Sequence, residues 1–330
     1  MSNQFRPLLK DAFRQFLWES LNTHQQQDEP KDIALIGSRR SGSTLLMQIL
    51  AHHPRVKSVD QPFSIYTATK TQMRHMPYPS GGIFVAPEES ELLALEAYVR
   101  AIQSGDLHIQ EPWRFWRDDY WFKTDRLVLK TTDAHYLLPH LQRWGLQTIL
   151  YFRHPIPQAL SCMRNGWGDR LSQFSQHHAI RTKILSDAQN AMLDQTVAQG
   201  SKLQRYVLGW CLENLPLFHA LSGAVPCIFY EDLVIDPKAT IQELATLCDI
   251  PVTPKMIAML QQSSHSVKRL SDKSGRDAIK SGDSSALVGR WQNTISNRDK
   301  DAVEEILRAF QNCPYSAFEI MPQFSPNVDR

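Results

Sequence analysis

The eight residues Gly37-Ser-Arg-Arg-Ser-Gly-Ser-Thr44 carry the densest chemistry in the chain. An apolar run of strand length, Ile33–Ile36, precedes them, and a segment with Leu46, Ile49 and Leu50 at helical spacing follows. A strand, a tight turn and a helix in that order aim successive backbone N–H groups, and the positive end of the helix dipole, at one anion. The amides of Ser41, Gly42, Ser43 and Thr44 would line that cradle, with Arg39 and Arg40 supplying fixed positive charge. A second anion clamp follows the apolar strand Gln147–Phe152. Arg153 leaves the strand end, Pro155 and Pro157 shape the start of a helix, and Ser161 lies about two helical turns beyond the arginine. A guanidinium and a hydroxyl facing one point suit a phosphate. A third strand, Leu127–Lys130, ends in Lys130 and Thr131 and is followed by Asp133 and His135. Open α/β sheets bind ligands beyond the carboxyl ends of their strands, so these groups fall where chemistry is done. His52 and His53 have no third ligand at a useful spacing; they suit a helix end, and no metal site is expected.

The turn nearly fits the nucleotide loop Gly-x-x-x-x-Gly-Lys-[Ser/Thr], except that Ser43 stands where the lysine belongs. Positive charge comes earlier, from the two arginines, which suits a transferred anion other than a magnesium-bound γ-phosphate. Arg40-Ser41-Gly42-Ser43-Thr44 resembles the [Lys/Arg]-Ser-Gly-[Ser/Thr]-Thr loop of sulfotransferases that use 3′-phosphoadenosine 5′-phosphosulfate (PAPS). The match is to the arginine form found among carbohydrate and tyrosine sulfotransferases. The resemblance runs from about residue 31 to 312. It implies that the loop holds the 5′-phosphosulfate and that Arg153 and Ser161 grip the 3′-phosphate. It also implies that Tyr230, in Tyr230-Glu-Asp-Leu233, lies near the adenosine. In the family a basic loop before a Gly-x-Trp folds over the cofactor, and Gly289-Arg290-Trp291 supplies that ending here. Ser284-Ser285-Ala286 replaces the usual Arg-Lys-Gly, which leaves Arg276, Lys280 and Arg290 as alternatives for the remaining 3′-phosphate base. The family's Glu-Pro pair, whose glutamate is a candidate general base, is matched by Gln61-Pro62 after Asp60. The candidate bases are therefore His135, Asp133 and Asp60, in that order. Arg40, with Lys130 beside it, would stabilise charge on the sulfuryl and leaving-group oxygens. The implied reaction is in-line transfer of a sulfuryl group from PAPS to an acceptor hydroxyl or amine, releasing adenosine 3′,5′-bisphosphate (PAP). The alternatives are a magnesium-dependent P-loop kinase or NTPase, and a nucleotide-binding module without catalysis.

The elements that must position these groups give the fold. Strands alternating with helices over 330 residues, 42% of them hydrophobic, predict a P-loop NTPase-like three-layer α/β domain with a mostly parallel central sheet. The domain is expected over 31–312, after an N-terminal helix and linker (1–30) and before a tail (313–330), with 262–290 as a mobile cofactor-covering loop. Residues 5–21 place Phe5, Leu8, Leu9, Ala12, Phe13, Phe16, Leu17 and Leu21 at helical spacing. That apolar face is expected to pack on the domain, with a partner protein, a dimer or a membrane surface as alternatives. Residues 64–90 read as a loop, and Glu111–Phe122 as an aromatic cluster serving either the core or an acceptor wall. Helices are expected over Glu88–Gln103, within 165–200, and over Leu203–Leu221, Lys238–Leu247 and Asp299–Gln311, with a strand over Pro226–Leu233. A net charge of +2 offers no field for nucleic acid. No run approaches the length of a transmembrane helix. Five scattered cysteines without Cys-x-x-Cys pairing suit a reducing compartment. With no signal-peptide core, the expected location is cytoplasmic.

Overall fold

The computed structural model describes residues 5–78, 83–109, 120–220, 224–259 and 284–323. The chain begins with α1 (Phe5–Leu21), β1 (Thr23–His24), β2 (Ile33–Gly37), α2 (Ser43–Ala51), β3 (Val56–Asp60), α3 (Lys70–His75) and α4 (Glu89–Ser104). It continues through β4 (Lys123–Thr124), β5 (Arg126–Thr131), α5 (Leu138–Arg143), β6 (Gln147–Phe152), α6 (Pro155–Arg164), α7 (Leu171–Gln176), α8 (Asp187–Gln199) and α9 (Lys202–Ala220). The last part holds β7 (Cys227–Phe229), α10 (Tyr230–Ile235), α11 (Pro237–Leu247), α12 (Pro254–Ala258), α13 (Ser284–Gly289) and α14 (Asn297–Arg308). Five strands form one parallel sheet in the order β3-β5-β2-β6-β7, and β1 pairs separately with β4.

Every residue of β2 is buried, and alternation sends its side chains into two cores. Ile33 and Leu35 pack with Leu46, Ile49 and Leu50 of α2 and with Ile241 and Leu244 of α11. Ala34 and Ile36 join the opposite core, with Leu95 and Val99 of α4, Leu208 and Leu212 of α9, and Ile306 and Leu307 of α14. Helices therefore cover both faces of the sheet, and the α/β three-layer expectation holds. Because the strands run parallel, Gly37, Asp60, Thr131 and Phe152 all end at one edge, where the chain turns out of the sheet.

Helix bounds follow local chemistry. A capping box joins Glu88 and Glu91 at the start of α4, and Gly105, at φ 84°, closes its end. Ser186 and Ser296 cap α8 and α14 through the same reciprocal contacts. His52 ends α2, its ring Nδ1 2.6 Å from the Gln48 carbonyl.

Four expectations are corrected. The strand expected over Pro226–Leu233 stops at Phe229, and Tyr230–Ile235 is helical. Glu231 is turned inward there, accepting from the His154 backbone N–H at 3.0 Å and from the Tyr315 hydroxyl at 2.8 Å, which removes the backbone from the sheet ladder. The loop expected over 64–90 contains α3, capped by the Thr69 hydroxyl. Ser284–Gly289, expected within a mobile loop, is a helix followed by a 3₁₀ turn at Arg290–Asn293. Helix α1 seats Trp18, only 1% exposed, against the body, while Leu9, Phe13, Phe16 and Leu21 of the expected packing face point outward. One bulky indole outweighs several smaller apolar side chains in choosing the buried side. Arg276, Lys280 and most of the aromatic stretch 111–122 lie outside the described residues.

Candidate active site

Between β2 and α2 the chain makes the strand–turn–helix passage expected of it. Gly42 caps α2 at φ 97°, and a Cβ there would stand 2.8 Å from Tyr230 Cδ2 and 3.1 Å from the Tyr151 hydroxyl. Glycine is required both by conformation and by space. Arg40 also occupies the left-handed region, at φ 67°, a backbone state that a non-glycine residue holds only where its surroundings enforce it. Those surroundings are visible: Arg153 donates to the Arg40 carbonyl at 2.9 Å, and Arg40 Nε donates to the Ser161 hydroxyl at 2.9 Å. The loop arginine thus reaches Ser161 in α6, and the two segments that the sequence offers for anion binding meet in one place.

Further guanidinium groups join them. Arg153 lies over the Tyr230 ring at 4.4 Å, and Arg40 over Trp167 at 5.9 Å. Burial lowers the Arg40 pKa, and Arg153 and Arg164 lower it further. Burial likewise lowers Arg164, with Arg290 and Arg153 adding to the effect, and lowers Arg290, with Arg153 adding. Arg40, Arg164 and Arg290 therefore all lie within electrostatic reach of Arg153. Arg290 reaches it because the neighbouring Trp291, 2% exposed, packs on His154 with ring centroids 4.4 Å apart. His154 is a structural keystone: its Nδ1 accepts from Ile156 N–H, its Nε2 faces the Ser316 carbonyl at 3.0 Å, and burial lowers its pKa to about 4. Buried and unpartnered beside the cradle are Ser41 Oγ, Tyr151 Oη and Arg153 Nε. These three polar atoms suit a ligand with anionic oxygens.

A second group of charges sits on the other side of the loop. Arg39 donates to Asp133 Oδ1 at 2.9 Å, and Arg170 reaches the same oxygen at 3.3 Å and Glu213 at 3.2 Å. Glu213 also accepts from the Ser38 hydroxyl at 2.7 Å, tying the loop to α9. Burial alone would raise the Asp133 pKa; Arg39 and Arg170 overcome it and hold the carboxyl below the ordinary range. His135, in the turn His135–Leu137, is 3% exposed, and burial lowers its pKa. Lys130 bridges differently, 2.5 Å from Asp60 Oδ1 and 3.5 Å from the Thr44 hydroxyl. The Asp60 side chain is 38% exposed. Gln61 does structural work: its amide oxygen accepts from Thr132 N–H at 3.0 Å and its amide nitrogen donates to the Thr132 hydroxyl at 2.9 Å, stitching β3 to β5.

The structure thus gathers Arg40, Ser41, Gly42, Ser43, Thr44, Lys130, Asp60, Arg153, Ser161, Tyr230 and Arg290 at one edge, and turns Arg39 and Asp133 toward each other. Sequence reading missed Arg164, Arg170, Glu213 and Trp167. Arg164 alone carried a signal, one helical turn after Ser161 on the same face.

No curated protein sequence matches the chain. Among solved structures it is similar to mouse sulfotransferase SULT7A1 complexed with PAP, at 13% identity and a TM-score of 0.42, over 92% of this chain and 91% of that one. It is also similar to the sulfotransferase domain of the Synechococcus PCC 7002 olefin synthase, at 18% identity and a TM-score of 0.39, over 86% of this chain and 96% of that one. A third is sulfotransferase STF9 from Mycobacterium avium, at 14% identity and a TM-score of 0.37, over 81% of this chain and 77% of that one. The model of the sulfotransferase family matches residues 30–254, a span that takes in the loop, the Lys130 strand, the Arg153–Ser161 clamp and Tyr230. On that match, the chain belongs to the sulfotransferase family.

Proposed function

We propose that this protein transfers a sulfuryl group from PAPS to an acceptor hydroxyl in the cytoplasm, acting through one domain over residues 31–312. The observation that carries the reading is a like-charged cluster in which Arg40, Arg164 and Arg290 all lie within electrostatic reach of Arg153, while Arg153 donates to the Arg40 carbonyl at 2.9 Å and Arg40 to the Ser161 hydroxyl at 2.9 Å. A ligand with phosphate at both ends of a ribose would relieve that repulsion. The unpartnered Ser41 Oγ and Arg153 Nε fit the same ligand. When bound, PAPS supplies the sulfuryl group, whose bond to the acceptor oxygen forms as its bond to the 5′-phosphate oxygen breaks.

The chain's own groups divide the remaining work. The amides of Ser41 to Thr44 and the Arg40 guanidinium hold the 5′ end and stabilise its growing charge. Arg153, Ser161 and Arg290 hold the 3′-phosphate, with Tyr230 beside the adenosine. Asp60 takes the acceptor proton: it faces solvent at the sheet edge, whereas Asp133 is engaged by two guanidiniums and His135 is enclosed. Lys130 ties Asp60 to Thr44 and so fixes the base relative to the loop. Arg39 serves the acceptor side through Asp133 rather than the phosphosulfate. The cytoplasmic assignment is supported by the five cysteines, all free.

Thermal unfolding with PAP, compared with ATP and magnesium, tests this. A ligand at about a hundredfold excess over its Kd adds roughly 2.7 kcal/mol of apparent stability. The expected result is stabilisation by PAP that is lost in Arg153→Ala. Stabilisation by ATP and magnesium alone would replace sulfuryl transfer with the kinase reading.

A further inference from the structure

The charges on the far side of the loop close into a ring. The buried Ser38 hydroxyl donates to Glu213 Oε2 at 2.7 Å and accepts from the Asn214 side-chain amide at 2.8 Å. Glu213 Oε1 accepts from Arg170 at 3.2 Å, Arg170 reaches Asp133 Oδ1 at 3.3 Å, and Asp133 accepts from Arg39 at 2.9 Å. Arg39 follows Ser38 in the chain, so contacts from the loop, α9, the cap of α7 and the end of β5 return to their starting point. Two guanidiniums and two carboxylates balance within the ring. Groups matched in this way give little to an anionic ligand; what they supply is fixed geometry.

The geometry they fix is that of the loop. The Ser38 carbonyl accepts from Ser41 N–H at 3.2 Å, closing a turn in which Arg40 is the third residue, at φ 67°. Glycine or asparagine is usual at such a position, so an arginine stays there only when the turn is held from outside. Three anchors hold it. Gln158 donates to the Arg39 carbonyl at 2.6 Å, Arg153 donates to the Arg40 carbonyl at 2.9 Å, and Glu213 grips the Ser38 hydroxyl. The first two come from α6 and the residues leading into it, whereas Glu213 pulls from α9. Without Glu213 the turn would be held from the α6 side alone and could relax toward negative φ, carrying the Arg40 guanidinium away from Ser161.

Resting on the sulfuryl-transfer reading, we propose that Glu213 is a positioning residue for that reaction. Acting through Ser38, it holds the turn that aims Arg40 at the 5′ end of the nucleotide. Arg153 and Ser161 stand outside the ring, so the grip on the 3′-phosphate does not depend on it.

Calorimetry on the full chain with two nucleotides tests this. PAP carries phosphate at both ends of the ribose, and adenosine 3′-monophosphate carries only the one the clamp would hold. The wild-type protein is expected to bind PAP at least about tenfold more tightly, as a charge-assisted contact to the 5′-phosphate requires. Glu213→Ala should weaken PAP about tenfold and leave adenosine 3′-monophosphate within about twofold of wild type. Glu213→Gln, whose amide oxygen can still accept from Ser38, should recover most of the loss. Ser38→Ala should match Glu213→Ala, and the double variant should be no weaker than either, because both substitutions remove one contact. Glu213→Met, close in length and without an acceptor, takes the place of Glu213→Ala should the latter fail to fold. Unchanged PAP affinity, equal weakening of both nucleotides, or additive losses in the double variant overturns the proposal while leaving sulfuryl transfer standing. A wild-type protein that binds the two nucleotides equally, or does not bind PAP, overturns the sulfuryl-transfer reading and this inference with it.

Discussion

Asp60 and Asp133 stand at the ends of neighbouring strands, yet their partners give them different tasks. Asp60 meets one ammonium group, Lys130, and keeps 38% of its side chain in solvent. Asp133 meets two guanidiniums and is only 11% exposed. A carboxylate that must receive a proton needs access to the acceptor, and one that neutralises two buried cations needs enclosure. The two substitutions should therefore separate. Asp60→Asn is expected to lower kcat by roughly 10²–10³ while PAP stabilisation stays near wild type, at a cost of about 1–2 kcal/mol of unfolding free energy because the buried Lys130 ammonium loses its half-exposed partner. Asp133→Asn leaves Arg39 and Arg170 without their shared carboxylate. Breaking a buried pair costs about 3–5 kcal/mol, and with Arg39 a quarter exposed roughly 2–4 is expected here after solvent screening. Urea unfolding and initial rates on both variants check this. A large rate loss with full stability in Asp133→Asn would return the base to that residue.

At the scale of elements, the site depends on α6. Its start is capped by His154, its middle presents Ser161 to Arg40, and Trp291 packs on its capping residue from a turn more than a hundred residues later. Trp291→Ala is expected to cost about 3–5 kcal/mol of stability, the usual range for removing a buried tryptophan. It should also weaken PAP binding beyond that loss, because Arg290 is held beside Arg153 by the packing of its neighbour. Isothermal binding well below the variant's Tm separates the two effects; unchanged PAP affinity would remove Arg290 from the 3′-phosphate site. Much of this was legible in the sequence. Gly42, Arg40, Arg153 and Ser161 obey local rules of turn geometry and helical spacing, so their meeting could be expected from spacing and strand order. The rest depends on long-range contact. Arg170 and Glu213 sit in helices whose polar faces look ordinary until Ser38 and Asp133 approach them. The helix at Tyr230 replaces a strand because Glu231 turns inward to His154 and Tyr315. The outward face of α1 was misjudged because periodicity shows that a helix has two sides, and only Trp18's pocket decides which is covered.

Across the whole molecule, two buried titratable groups lie at opposite edges of the sheet and act against each other. At the amino edge, Asp32 accepts from Leu127 N–H at 2.7 Å and from Gln103 at 3.2 Å. Burial nonetheless raises its pKa to about 6, with Arg126 and Lys57 opposing the rise; Lys57 is itself 3.0 Å from His108 Nδ1. At the carboxyl edge, His154 is lowered to about 4. Between those values the native state keeps a proton on Asp32 that the unfolded chain releases, so this group's contribution falls as pH rises from about 4 to about 6. Over nearly the same interval the unfolded chain holds a proton on His154 that the native state refuses, so that contribution grows with pH and is complete above about 6.5. Each slope approaches about 1.4 kcal/mol per pH unit, and in the wild-type protein the two largely cancel. Asp32→Asn removes one side of the balance while its amide oxygen can still accept from Leu127 N–H. Relative to wild type, the variant should gain stability as pH rises from 4 to 6, by about 2–3 kcal/mol in all. Urea unfolding of both proteins at half-unit intervals across that range measures the difference directly. A stability difference independent of pH would mean that Asp32 titrates alike in the folded and unfolded chains, and that the buried amino edge of the sheet tolerates its charge.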